Sequence, residues 1–299
     1  MSNKGIQNFS IIGAGMVGTA MGCLLKKRGF RIVGVADKSL LARKRAKAYL
    51  GCAALRSSRH VIRQADAIII TTPVDTISAV CSEISCGRPL KGKFVIHMSG
   101  AGGLDLLDDA RKQGAAVACI HPLQSFSSID QAIQIIPGSC FGITADREAL
   151  GLAKKLVRAL KGVPLLIAPE QKPLYHAAAC FASNYLVALM NTVESIYQSI
   201  GIPAKDAQKA YLPLVYGSLS NIEHAGATFS LTGPIARGDL GTVKKHIASI
   251  RKTTPQFSAL YRVLGLTTVK IAQKKGTLKN SDAKKMNAIL KGVKDEHPE

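Results

Sequence analysis

Three glycines, an acid, a lysine and two histidines carry most of the chemistry in this sequence. Gly13, Gly15 and Gly18 stand in the spacing G-x-G-x-x-G, with Met16 and Val17 between the last two. A dinucleotide-binding turn needs each glycine for its own reason. The first lets the chain leave a strand in a tight turn. The second lets a pyrophosphate approach the backbone, and the third lets the next helix pack close. That helix start then offers unpaired N–H groups and a positive dipole end to the phosphates. Asp37 follows at about the distance where an acid meets adenosine ribose hydroxyls. It favours a free hydroxyl and hence NAD. Lys38, Ser39 and Arg43 beside it suit the extra phosphate of NADP, and the balance leans to NAD.

A glycine-rich turn alone is a weak signal, so the elements around it matter. Residues 9–12 form a short, mainly apolar run with two β-branched isoleucines, which suits a buried parallel strand. Residues 19–27 read as a helix, and residues 31–36 as a second strand ending at Asp37. Strand, glycines, helix, strand and acid in this order predict a dinucleotide site. Helix and strand signals go on alternating to about residue 167, which predicts a doubly wound, mostly parallel sheet. Past Pro169 helical stretches follow, near 170–200, 204–222, 239–251, 255–274 and 281–293, with few strand signals. The chain therefore reads as α/β: a Rossmann-like domain over 1–168 and an all-helical substrate and dimerisation domain over 169–299.

Ligands of such sheets bind outside the carboxyl ends of the strands. That rule selects Thr72 and Pro73 after one strand, Ser99 and Gly100 after another, and His121 at the exit of a third. Ser99 and Gly100 are small enough to let a nicotinamide come close. His97 reads better as a core histidine with its hydrogen bonds satisfied. In the helical region Pro173 suits a first turn. Lys172 and His176 are one turn apart on one face, and Ser183 and Asn184 return to nearly the same face of what reads as one long helix. Such a polar stripe needs partners if it is buried. Further on, Asp239 suits a helix cap. The planar fork of Arg237 suits a carboxylate.

The 299 residues carry a formal net charge of 40 − 19 = +21, which attracts anions. A dinucleotide and a small anionic substrate would satisfy it. Nucleic acid is disfavoured, because the basic residues are spread and no aromatic-interleaved stripe occurs. The basic region from Lys270 onward reads as a solvated helix surface. Seven cysteines without C-x-x-C spacing suggest reduced thiols in the cytosol. Cys23, Cys81, Cys119 and Cys180 read as small core residues. Residues 177–190 form the longest apolar run, too short for a comfortable membrane span. It is apolar on more faces than one core needs, which predicts a homodimer.

Four stretches resemble one family. They are the Gly13 to Gly18 turn, H-P-L-Q-S-F from His121, Q-K-P-L-Y-H-A-A-A from Gln171, and T-G-P-I-A-R-G-D from Thr232. The chain is similar to bacterial Rossmann-like proteins whose C-terminal domain is of unknown function, the DUF2520 type. It also resembles alternative-type ketopantoate reductases and the wider group of 6-phosphogluconate dehydrogenase and pyrroline-5-carboxylate reductase. In several of that group a lysine early in the first long C-terminal helix acts as general acid or base, with an Asn one turn later. The resemblance puts Lys172 in that lysine's place, has His176 where the Asn would stand and leaves Asn184 to supply the amide. It implies an NAD(P)-dependent oxidoreductase acting on a small carbonyl acid, ketopantoate-like first. Lys172 would be the acid, His176 and His121 would support it, and Arg237 would hold the carboxylate. The alternatives are an imine reductase of the pyrroline-carboxylate type and a dinucleotide-binding sensor without turnover.

Overall fold

In the computed structural model, which describes residues 6–292, eight strands form one sheet in the order β3-β2-β1-β4-β5-β6-β7-β8. They are β1 (Asn8–Ile12), β2 (Arg31–Ala36), β3 (Ala54–Leu55), β4 (Ala67–Ile70), β5 (Phe94–His97), β6 (Ala116–Pro122), β7 (Cys140–Ala145) and β8 (Val163–Leu166). All neighbours run parallel except β6 and β7, which are antiparallel. Seven helices connect them: α1 (Met16–Lys27), α2 (Leu40–Leu50), α3 (Ser58–Val61), α4 (Val74–Ser85), α5 (Asp108–Lys112), α6 (Ile129–Ile135) and α7 (Arg147–Ala159). The short β3 and α6 carry too little periodicity to be legible in the sequence.

The sheet is covered on both faces, which explains why β4 and β5 are apolar along their whole length up to His97. On one face Met21, Leu24 and Leu25 of α1, Leu50 of α2, and Ala153 and Val157 of α7 pack with Phe9, Ile11 and Ile69. On the other, Ile77, Cys81 and Ile84 of α4 and Leu107 ahead of α5 pack with Ile68, Ile70 and Val95. This is the doubly wound architecture, and every strand from β1 to β6 points its carboxyl end toward one edge.

The remaining helices are α8 (Lys172–Ala182), α9 (Asn184–Ser199), α10 (Ala204–Phe229), α11 (Leu240–Thr253), α12 (Ser258–Lys275) and α13 (Asn280–Lys291). The chain divides into two compact units between Asn184 and Tyr185, so α8 belongs to the unit that holds the sheet. The helix expected to run unbroken from about 170 to 200 is interrupted. Ser183 takes φ −122° and ψ −73° and separates α8 from α9. The second unit has its own core, with Val243, Val269, Ala272, Met286 and Leu290 at its centre. Its α10 contains Pro213 and a non-helical Gly226, so it is kinked as proline and glycine require. Among the described residues no helix is long and apolar enough to cross a membrane. The last residues of the basic tail, 293–299, lie outside the described residues.

Candidate active site

The turn between β1 and α1 is built as the glycines predict. Gly13 has φ +102°, in the left-handed region that suits glycine, and donates its N–H to Ala36 O at 2.8 Å. A Cβ there would strike the Thr71 backbone at 2.8 Å, and a Cβ on Gly18 would collide with the carbonyl oxygen of Gly13. Thr71 Oγ1 donates to that same carbonyl at 2.7 Å and ties the turn to the end of β4. Gly15 differs from both. A Cβ on it would meet nothing within 4 Å. Its lack of a side chain therefore answers no neighbour in the protein and leaves the backbone open toward the cavity beside it.

Beside the turn lies a cavity of about 280 Å³ lined by Gly13, Gly15, Asp37, Lys38, Arg56, Thr72 and Pro73, among others. Thr72 Oγ1 is buried there without a hydrogen-bond partner. An orphaned hydroxyl on a cavity wall fits a polar ligand. Glycine cradle, open Gly15, helix start and orphaned Thr72 together fit a dinucleotide. Met16 and Val17 open α1 beside it, with Met16 exposed. Asp37 is engaged otherwise than the sequence suggests. One carboxylate oxygen accepts Ala14 N–H and the other Ser39 N–H, both at 2.7 Å. Ser39 caps α2 by accepting Ala42 N–H, and Arg43 donates to the Asp37 and Lys38 carbonyls. Arg56, which the sequence reading passed over, shares the cavity wall with Lys38.

The second group of polar residues meets where β5 and β6 end and α8 begins. Lys172 is buried, 3% exposed, so it is no solvated helix-start lysine. Its Nζ lies 3.1 Å from Cys119 Sγ and 3.4 Å from Ser99 O. The Cys119 thiol donates to Ser99 O at 3.1 Å, and burial pushes its pKa up. Among the described residues no carboxylate pairs with Lys172. His121 Nδ1 lies 3.0 Å from the Tyr175 hydroxyl, and the His121 and His176 rings are 6.2 Å apart. Gly100 fits beneath both imidazoles. A Cβ there would sit 2.5 Å from His176 Cδ2 and 2.9 Å from His121 Nε2. Burial, with Lys172 and the neighbouring histidines, holds His121 down at about 4. Burial pushes Tyr175 up to about 12.

His97 is the satisfied core histidine expected. Gly103 O can only accept and Ser99 N–H can only donate, at 3.0 and 3.2 Å from Nε2 and Nδ1. The ring is therefore neutral with its proton on Nε2, and burial lowers its pKa to about 4. It fixes the loop from Ser99 to Gly103. The expected stripe on one helix face holds for Lys172 and His176, which reach Ser99 and Gly100. It does not extend to Asn184, an exposed residue beyond the break at Ser183. Arg237 is an exposed residue of the second unit. Asp239 caps α11, accepting Thr242 N–H at 2.9 Å and Thr242 Oγ1 at 2.7 Å. Tyr175, Cys119 and Gly142 went unnoticed as site residues. Only the third-residue spacing of Tyr175 from Lys172 could have signalled one of them. Among the described residues no cluster could hold a metal ion.

Residues 3–122 match the family model described as a Rossmann-like domain. Residues 139–268 match the model of the domain of unknown function DUF2520. The chain thus joins a Rossmann-like domain to a DUF2520 domain. Among curated proteins none matches it in sequence. A proposed NADP oxidoreductase from Bacteroides fragilis is 19% identical with a TM-score of 0.72, covering 90% of this chain and 98% of its own. A protein from Thermotoga maritima is 24% identical with a TM-score of 0.72, covering 89% and 99%. Pyrroline carboxylate reductase from Plasmodium falciparum, solved with NADP bound, is 13% identical with a TM-score of 0.57, covering 97% and 99%. These likenesses establish the fold.

Proposed function

We propose that the protein is an NADPH-dependent reductase of a small carbonyl acid, of which a ketopantoate-like 2-oxo acid is the first candidate. The observation that carries this reading is the buried Lys172 with no carboxylate partner, grouped with His121 and His176 around Gly100 in the unit that bears the dinucleotide cradle. A bound nicotinamide supplies hydride. The residues of this chain supply the rest. Lys172 offers a proton and a positive charge to an oxygen that turns negative, in surroundings where water screens little. The thiol of Cys119 and the carbonyl of Ser99 orient its Nζ.

Pyrroline carboxylate reductase shares the fold, so the imine reading remains the one to test against. NADPH is preferred to NADH because Lys38 and Arg56, on the cavity wall beside Asp37, offer two positive charges to a 2′-phosphate. Related folds solved with NADP and NADPH support this choice.

A panel of 2-oxo acids and cyclic imine acids, each with NADPH and NADH, tests the reading by absorbance loss of the reduced cofactor. The expected result is turnover of a 2-oxo acid with at least tenfold preference for NADPH, about 1.4 kcal/mol. Turnover of imines alone would replace it with the imine reading. Tight cofactor binding with no turnover on the whole panel would make the protein a sensor.

A further inference from the structure

The antiparallel pairing of β6 with β7 sets His121 opposite Gly142 in the ladder. Gly142 leaves a hollow beside the histidine, and the phenol of Tyr175 fills it. A Cβ on residue 142 would stand 2.5 Å from the Tyr175 oxygen and 2.7 Å from Cζ. Among the described residues the phenol hydroxyl has one hydrogen-bond partner, His121 Nδ1 at 3.0 Å. No other acceptor is within its reach, so its proton goes to that nitrogen.

We propose that Tyr175 is a positioning residue that holds His121 as a neutral imidazole, with its proton on Nε2 and directed over Gly100. With Nδ1 occupied as an acceptor, a neutral ring must carry its hydrogen on Nε2. Nε2 has no hydrogen-bond partner among the described residues and lies against the face of Gly100 that has no side chain. Among the groups packed against this ring, Lys172 and His176 of α8 and His97 of β5 oppose a second proton, while Tyr175 of α8 and Gly142 of β7 bring no charge to it. No carboxylate is among them. His121 is therefore a fixed hydrogen-bond donor for an oxygen of the substrate, and Lys172 remains the source of the proton. This assignment rests on the carbonyl-acid reading for its substrate but not for its geometry.

Nitrogen-15 spectra of the histidine rings in the full chain test it directly, with His121 identified by its loss in His121→Phe. Across about pH 6 to 8 the expected signature is a protonated Nε2 and a bare Nδ1. In Tyr175→Phe the two tautomers should mix, and Gly142→Ala should do the same by pushing the phenol away. A wild-type His121 protonated on Nδ1, or doubly protonated at pH 7, overturns the proposal. So does a Tyr175→Phe spectrum identical to the parent. If a 2-oxo acid is turned over, Tyr175→Phe should lower kcat about tenfold, the worth of one oriented hydrogen bond, with a smaller change in KM. Failure of every substrate in the panel would refute the reductase reading and leave the spectra to decide this one.

Discussion

The buried Lys172 sets the first prediction. Lys172→Met keeps the stem and removes the proton and the charge. Turnover should fall roughly a hundredfold or more, the lower end of what a positioned acid contributes. NADPH affinity should stay within a few-fold, because the cradle lies between β1 and α1. A variant that turns over like the parent would pass the acid's role to His176. A second prediction concerns His97. Its folded pKa of about 4 lies below the ordinary 6.5, so keeping it neutral stabilises the fold fully above pH 6.5. That contribution, about 3 kcal/mol, is lost as pH falls from 6.5 toward 4. Guanidinium unfolding at pH 7 and at pH 4.5 should show the loss in the parent and a smaller one in His97→Gln. Equal pH dependence in the two proteins would remove His97 as the cause.

At the scale of elements, the glycines of the first turn separate two kinds of requirement. Gly15 has φ −69°, which any residue adopts, and open space where its Cβ would be. Gly15→Val should fold with the parent's Tm yet lose dinucleotide binding, which calorimetry and titration would read together. Gly18→Ala should do the reverse and lower Tm. Its methyl would press on Gly13 O and on Thr71 Oγ1 at 2.5 Å, an overpacking that costs typically 1–3 kcal/mol. Retained binding in the valine variant would show that the turn serves the fold alone. The strands, the first helices and this turn were legible because a doubly covered sheet writes long apolar runs and the turn writes glycines. The seat of Tyr175 was not legible. It depends on Gly142, which reaches His121 only because β7 runs against β6, and no local pattern announces a strand's direction. The break at Ser183 was hidden for a similar reason, since residues on both sides favour helix.

At the scale of the whole molecule, several large apolar side chains have no cover. On α10 Leu214 is 71% and Phe229 65% exposed, and Tyr216, Leu219 and Ile222 are also open to solvent. They point in more than one direction around the helix, as in helices that are covered on most sides. The expectation of a homodimer drawn from residues 177–190 therefore extends to α10. Sedimentation at micromolar concentration should give a dimer, and Leu214→Glu should shift it toward monomer. A parent that sediments as a monomer would leave these side chains without a partner of this kind.

The position of α8 has a consequence for how such chains can be recombined. Lys172, Tyr175 and His176 travel with the sheet, since the division of the chain falls after Asn184. A chimaera joined near residue 168, where strand signals stop, would pair the histidine of one parent with the lysine and tyrosine of another. One joined after Asn184 would inherit the whole cluster from a single parent. Exchange of the helical half at that later junction should therefore leave the proton-handling residues together as one heritable block.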